Sequence, residues 1–131
     1  MQREIIQIRK TMRKYKNIQA VYLFGSTAAG KTGPLSDIDL AVLVKKDFVE
    51  KERADFKLKL IAEFTDIFNS DKIDLVILND APVQLTFEII SKGILIFGTR
   101  EDVAEFEARA SSYYHDRIEH AAAIAEYLEK K

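Results

Sequence analysis

The sequence predicts an α/β protein of the α+β type: a mixed β-sheet of about four strands, flanking helices, and a long C-terminal helix. Three observations carry this prediction. Helical and strand patterns alternate in the order α-β-β-α-β-α-β-α, without repeats or low-complexity segments. The strand runs are short and almost continuously apolar, the pattern of strands covered on both faces. The first two strands are joined only by a loop of about a dozen residues, which suggests an antiparallel pair and a sheet that is not wholly parallel.

The elements follow in order. Ile5, Ile8, Met12 and Tyr15 recur at steps of three and four, which predicts an amphipathic helix over residues 3–16. Ala20-Val21-Tyr22-Leu23-Phe24 is a β-rich run that stops at Gly25. Ser26 to Ser36 is rich in small residues, Gly and Pro, and reads as a loop with room for one short helical turn. Ile38 to Val44 is apolar apart from Asp39, as a buried strand should be.

A second helix is expected over Asp47 to Asn69, with Phe56, Leu60, Phe64 and Ile67 on one face. Ile73 to Leu78 is the third strand, interrupted only by Asp74. Asp80 is the expected N-cap of a helix with Pro82 in its first turn, ending at Gly93. Ile94 to Phe97 is a short last strand. Thr99, with Asp102 three residues on, resembles a capping box for a final helix whose stripe runs from Val103, Phe106, Ala110, Tyr114 and Ile118 towards Leu128.

At 131 residues, the chain is expected to form a single minimal domain over residues 1–131. Its 47% hydrophobic and 31% charged residues suit a globular protein. The absence of cysteine excludes disulfides and Cys-based zinc sites. No apolar run nears the ~20 residues of a membrane span, and the charged segment Met1 to Lys16 lacks a signal-peptide core, so a cytoplasmic location is expected. A net charge of −1 offers no basic surplus for tracking nucleic acid. His115 and His120 are five residues apart and do not share a helix face, so they read as surface or packing residues.

Two strands that should be apolar throughout carry aspartates: Asp37 and Asp39 at the start of the second, Asp74 at the start of the third. Alternation puts Asp37 and Asp39 on one side, and Asp74 lies beside them if the two strands are parallel neighbours. Three such carboxylates repel one another unless a cation lies between them. Magnesium, a hard ion that takes oxygen ligands and retains substrate phosphates, is the natural partner. Two such ions about 3.5–4 Å apart clamp the attacking and leaving oxygens of a phosphoryl displacement.

Gly25-Ser26 supplies the complementary part: a strand end where glycine permits close backbone approach and free amides with a hydroxyl can hold phosphate oxygens. Lys31 would add a point charge. Ten residues separate Ser26 from Asp37. Gly-Ser turns and strand-initiating aspartates are individually common. Even so, Gly-Ser, ten residues and Asp-x-Asp should coincide in only roughly a few chains per thousand of this length, before the surrounding strands are required as well.

Leu23-Phe24-Gly25-Ser26 through Ser36-Asp37-Ile38-Asp39-Leu40 resembles the signature of the DNA polymerase-β-type nucleotidyltransferase superfamily. The spacing and size are similar to its minimal branch, the MNT domain of HEPN/MNT toxin–antitoxin pairs. The resemblance implies a magnesium-dependent antitoxin that transfers AMP from ATP to a tyrosine of a partner HEPN ribonuclease toxin. It assigns Gly25 and Ser26 to the triphosphate, Asp37 and Asp39 to two magnesium ions, and Asp74 to completing the site and activating the acceptor hydroxyl. Many relatives have an arginine just after Gly-Ser. Here the segment reads Thr27-Ala28-Ala29-Gly30-Lys31, so either Lys31 substitutes or the triphosphate is held more weakly.

Two alternatives accompany this reading. One is transfer to a small-molecule hydroxyl, for which the chain has few residues left to build acceptor walls. The other is a non-catalytic antitoxin that covers its toxin. A long terminal helix could also form a partner-docking surface.

Overall fold

The computed structural model describes residues 1–30, 36–48 and 50–130. Its elements are α1 (Gln2–Met12), β1 (Ile18–Leu23), α2 (Gly25–Ala28), β2 (Ile38–Val44), α3 (Glu50–Phe68), β3 (Ile73–Ile77), α4 (Val83–Lys92), β4 (Ile94–Phe97) and α5 (Arg100–Glu129), with a 3₁₀ turn over Leu78–Asp80. The four strands form one mixed sheet in the order β3-β2-β1-β4. β1 pairs antiparallel with both β2 and β4, and β2 pairs parallel with β3.

Alternation along the two central strands divides the core into two layers. Val21, Leu23, Leu40, Val42 and Val44 pack with Ile8 and Met12 of α1 and with Leu60 and Phe64 of α3. Ala20, Tyr22, Ala41 and Leu43 face the other way, towards Ile89 of α4 and Val103 of α5. Helices on both faces explain why the central strands are apolar without a break, since neither side meets water. Asp39 alternates with Leu40 and so belongs to the α4/α5 face, at the rim of the sheet.

Several boundaries differ from the sequence reading for identifiable reasons. α1 stops at Met12, yet Tyr15 still reaches the core, with its ring edge-on to Phe56 at 5.7 Å between centroids. Asp80 is not the N-cap of α4. It closes the 3₁₀ turn and forms an ion pair with Arg53 of α3, while Pro82 occupies the cap position. Gly93 ends α4 as expected, but in an extended conformation (φ −75°). Glycine is needed there for space: a Cβ would lie 2.4 Å from the Ile89 carbonyl oxygen and 2.9 Å from that of Leu23.

The Thr99–Asp102 capping box forms reciprocally, with bonds of 3.1 and 2.9 Å. The 30-residue α5 it opens is roughly 45 Å long at 1.5 Å per residue, more than the sheet can cover. Its first half is anchored by buried Val103, by the Tyr22 hydroxyl donating to Glu107 Oε2 at 2.6 Å, and by Tyr114 stacked on Phe87 at 4.1 Å. Burial and the Glu107 carboxylate both push the Tyr22 phenol above its ordinary pKa. From Ile118 onward the predicted stripe continues in sequence but lies open: Ile118, Ile124, Tyr127 and Leu128 are 47–62% exposed. Among the described residues, no helix is long and apolar enough to cross a membrane.

Candidate active site

The site lies at the rim where β1 ends and β2 and β3 begin. β1 gives way to Phe24 in extended conformation, and the chain turns directly into the four-residue α2. Gly25 makes the turn with φ +59°, in the left-handed region that an L side chain rarely adopts. The first amides of a helix have no intrahelical carbonyl to bond, so this turn presents donors at the rim. The expected short helical turn after Gly-Ser is therefore present, and it begins at Gly25.

The cradle is built against the carboxylates. A Cβ on Gly25 would come within 2.4 Å of Asp39 Oδ2. Phe24 N–H donates to the Asp39 carbonyl at 3.1 Å. The side chain of Thr27 is buried, and its hydroxyl accepts from Asp39 N–H at 2.9 Å and donates to the Asp37 carbonyl at 3.5 Å. The Ser26 backbone N–H donates to the Asp39 carboxylate.

Parallel pairing brings in the third aspartate. Asp39 and Asp74 are direct register partners across β2 and β3, which places both on one face of the sheet. Ile38 N–H donates to the Lys72 carbonyl at 2.8 Å and holds the two strand starts level. The Asp39 carboxyl is raised above its ordinary pKa, first by partial burial, then by the charges of Asp74 and Asp37 and a hydrogen bond to Asp74; the Ser26 amide acts in the opposite direction. A carboxyl whose ionised form is opposed by burial and by neighbouring negative charge is one that a cation would relieve.

Gly25, Ser26, Asp37, Asp39 and Asp74 are thus brought together as the sequence indicated. Lys31 lies outside the described residues. Among those described, no three acidic or histidine side chains close around a point tightly enough to cage an ion unaided. The donor set nevertheless fits magnesium: all-oxygen, incomplete, and beside a phosphate cradle, for an ion that usually fills its octahedron with substrate phosphates and water. Asp37 and Asp74 are exposed and Asp39 is half-buried, so the carboxylates are open to ligands.

Two openings flank α4 beside this centre. A cavity of about 400 Å³ borders the cradle, lined by Phe24, Gly25, Ala28, Leu85, Glu88 and Lys92. A cleft of about 550 Å³ borders Asp74, with Arg53, Lys57, Asp80, Pro82 and Leu85 in its walls. Thr27 was missed by sequence reasoning; the only signal was its place directly after Gly-Ser, where a β-branched hydroxyl residue interrupts a run of small ones.

A Gly-Ser turn packed against carboxylates on two parallel strands is the arrangement expected of a nucleotidyltransferase. The profile of the family described as Polymerase beta, Nucleotidyltransferase matches residues 6–102, and the chain belongs to that family. It is 32% identical over 112 residues to Protein adenylyltransferase MntA of Shewanella oneidensis, a match spanning 85% of this chain and 77% of that protein. Among solved structures it resembles a toxin–antitoxin with AMP-PNP, with a TM-score of 0.70 and 30% identity over 95% of this chain and 98% of that one. It also resembles a chain of the complex between the tri-AMPylated Shewanella oneidensis HEPN toxin and its MNT antitoxin, with a TM-score of 0.67 and 28% identity over 97% and 98% of the two chains.

Proposed function

We propose that this protein is an antitoxin that transfers AMP from ATP to a tyrosine of a partner HEPN toxin. The pairing of Asp39 with Asp74 opposite the Gly25-Ser26 turn carries this reading. Support comes from the 32% identical relative named a protein adenylyltransferase and from the similar antitoxin bound to an AMPylated toxin.

In the proposed reaction the acceptor phenol oxygen attacks the α-phosphorus of ATP. The new bond is phenol oxygen to α-phosphorus, the bond from α-phosphorus to the α,β-bridging oxygen breaks, and pyrophosphate leaves. The Gly25-Ser26 turn holds the triphosphate and orients the α-phosphorus. Asp74, the one of the three aspartates that lines the cleft, accepts or directs the phenol proton. Asp37 and Asp39, completed by Asp74, would hold magnesium, which supplies positive charge to the phosphates as charge builds on the leaving oxygen. On its place in the sequence alone, shortly after Gly25-Ser26, Lys31 is assigned to the triphosphate as a further positive charge.

The acceptor segment enters along the Asp74 cleft, past Arg53 and Lys57. A protein acceptor accounts for the sparse walls around the centre, because the partner supplies the missing ones. The net charge of −1 offers no general nucleic-acid surface, and we place the protein in the cytoplasm as a single catalytic unit over residues 1–131.

The test is intact mass spectrometry of the HEPN partner after incubation with this protein, ATP and magnesium. One or more added AMP groups are expected, and none with Asp39→Asn. No added mass together with a stable, toxin-blocking complex would replace transfer by occlusion. That outcome would point to the arginine-free turn after Ser26.

A further inference from the structure

We propose that Thr27 is a positioning residue: its hydroxyl sets the backbone of Asp37 and Asp39 and thereby aims both carboxylates at the divalent cation. This rests on the nucleotidyltransferase reading above and adds a residue that the Gly-Ser and Asp-x-Asp pattern does not include.

The argument begins where the sheet ladder fails. β1 and β2 pair antiparallel as far as Leu23 opposite Leu40. In such a ladder, alternate residues of one strand turn both backbone polar groups towards the other. Asp39 faces β1 in this way, and its carbonyl is taken by Phe24 N–H at 3.1 Å. The reciprocal acceptor for Asp39 N–H would be the Phe24 carbonyl. That carbonyl accepts instead from Ala28 N–H at 3.2 Å, because α2 begins there. Turning the chain into the phosphate cradle therefore removes one rung of the sheet at the residue whose carboxylate matters most.

Thr27 replaces the rung. Its Oγ1 accepts from Asp39 N–H at 2.9 Å and donates to the Asp37 carbonyl at 3.5 Å. A hydroxyl both donates and accepts, so one side chain bridges the two groups that a neighbouring strand would otherwise have satisfied. The side chain is 7% exposed, which leaves little room for water to do the same. Because Thr27 lies on α2 itself, the bridge also locks the phosphate turn to the carboxylate strand. Magnesium demands near-ideal geometry, and loss of groups that orient metal ligands typically reduces affinity or activity by about 10–100-fold.

Thr27→Val keeps the shape and removes both bonds; Thr27→Ser keeps the hydroxyl. The measurement is binding of Mn²⁺, followed by its electron paramagnetic resonance signal, to the full chain with α,β-methylene-ATP. It is run beside thermal melts and, with the HEPN partner, AMP-transfer rates. The expectation for Thr27→Val is a Mn²⁺ dissociation constant raised about 10–100-fold, a melt within a few degrees of the parent, and a matching loss of transfer at fixed metal. Thr27→Ser should stay within about twofold of the parent on the same scale. Parent-like Mn²⁺ binding by Thr27→Val, or equal impairment of Ser and Val, overturns the proposal. If Thr27→Val does not fold, Thr27→Cys, a poor hydrogen-bonding group, is tested in its place with the same expected and overturning results. Mn²⁺ binding needs no acceptor. An altered affinity in Thr27→Val beside a parent that modifies no partner would therefore reject the transfer reading and keep this one; a parent that binds no Mn²⁺ would reject both.

Discussion

The backbone of Gly25 lies against the carboxylate of Asp39, so closely that a methyl group at residue 25 would stand 2.4 Å from Oδ2. Gly25 also has φ +59°, a conformation that disfavours an L side chain by about 1–2 kcal/mol. The Gly25-Ser26 turn and the strand that carries Asp39 are thus one packed unit.

Gly25→Ala is accordingly expected to reduce AMP transfer by at least about 100-fold, the scale on which misplacement of roughly 1 Å acts, while secondary structure is retained. Transfer rates and circular dichroism check this. An alanine variant with near-parental turnover would mean that the close approach has no catalytic role.

Asp39 gives a prediction about pH. Its folded-state pKa is raised, by burial and by Asp74 and Asp37. As pH rises, the unfolded chain loses this proton first, so between the unfolded and the folded pKa the native state holds more protons and loses stability. Asp39→Asn removes that penalty and should melt higher than the parent near pH 7. The difference should shrink as pH falls below the unfolded value of about 3.8 to 3.9. Magnesium with ATP should raise the melting temperature of the parent, through binding to the native state only, and should do so less for the variant. Melting curves across pH, with and without metal, decide the point; a lower melt for Asp39→Asn at neutral pH would contradict it.

Asn79 carries a structural prediction. β3 ends at Ile77, opposite Val42 and two residues short of the end of β2 at Val44, and the Asn79 side chain takes its place. Nδ2 donates to the Val44 carbonyl at 2.9 Å, and Oδ1 accepts from Val44 N–H at 3.0 Å. With Val44 buried, Asn79→Ala leaves both groups without these partners and should cost about 2 kcal/mol, at roughly 1 kcal/mol per bond. Residual AMP transfer below the lowered melting point should be unchanged, because Asn79 lies at the end of the sheet away from Asp39. Denaturant titration supplies the first number and transfer rates the second.

These residues also show what the sequence could reveal. The bounds of β2, the antiparallel first pair, the Thr99–Asp102 box and the shared side of Asp37 and Asp39 were legible, because each follows from alternation, spacing or cap chemistry within a short window; Asp74 joined them only on the condition that β2 and β3 run parallel side by side, which the structure meets. Asp80 misled for the same reason: an acidic residue before a proline has the local form of an N-cap, and only the distant Arg53 draws it elsewhere. Thr27 and Asn79 were invisible because each stands in for a missing strand neighbour, and that vacancy exists only once the sheet is assembled. The stripe along α5 was read correctly as a pattern, but a pattern does not state how far the sheet beneath it extends.

The parallel pairing of β2 with β3 also fixes when a site can exist. Asp39 and Asp74 become neighbours only after α3 has formed and carried the chain back across the sheet. Such long-range parallel contacts are slow to close, because loop entropy is spent before they give any return. During synthesis, a chain that has emerged only as far as α3 already carries Gly25, Ser26, Asp37 and Asp39, yet has no third carboxylate. If Asp74 completes the centre as proposed, the site exists only from the moment β3 docks beside β2.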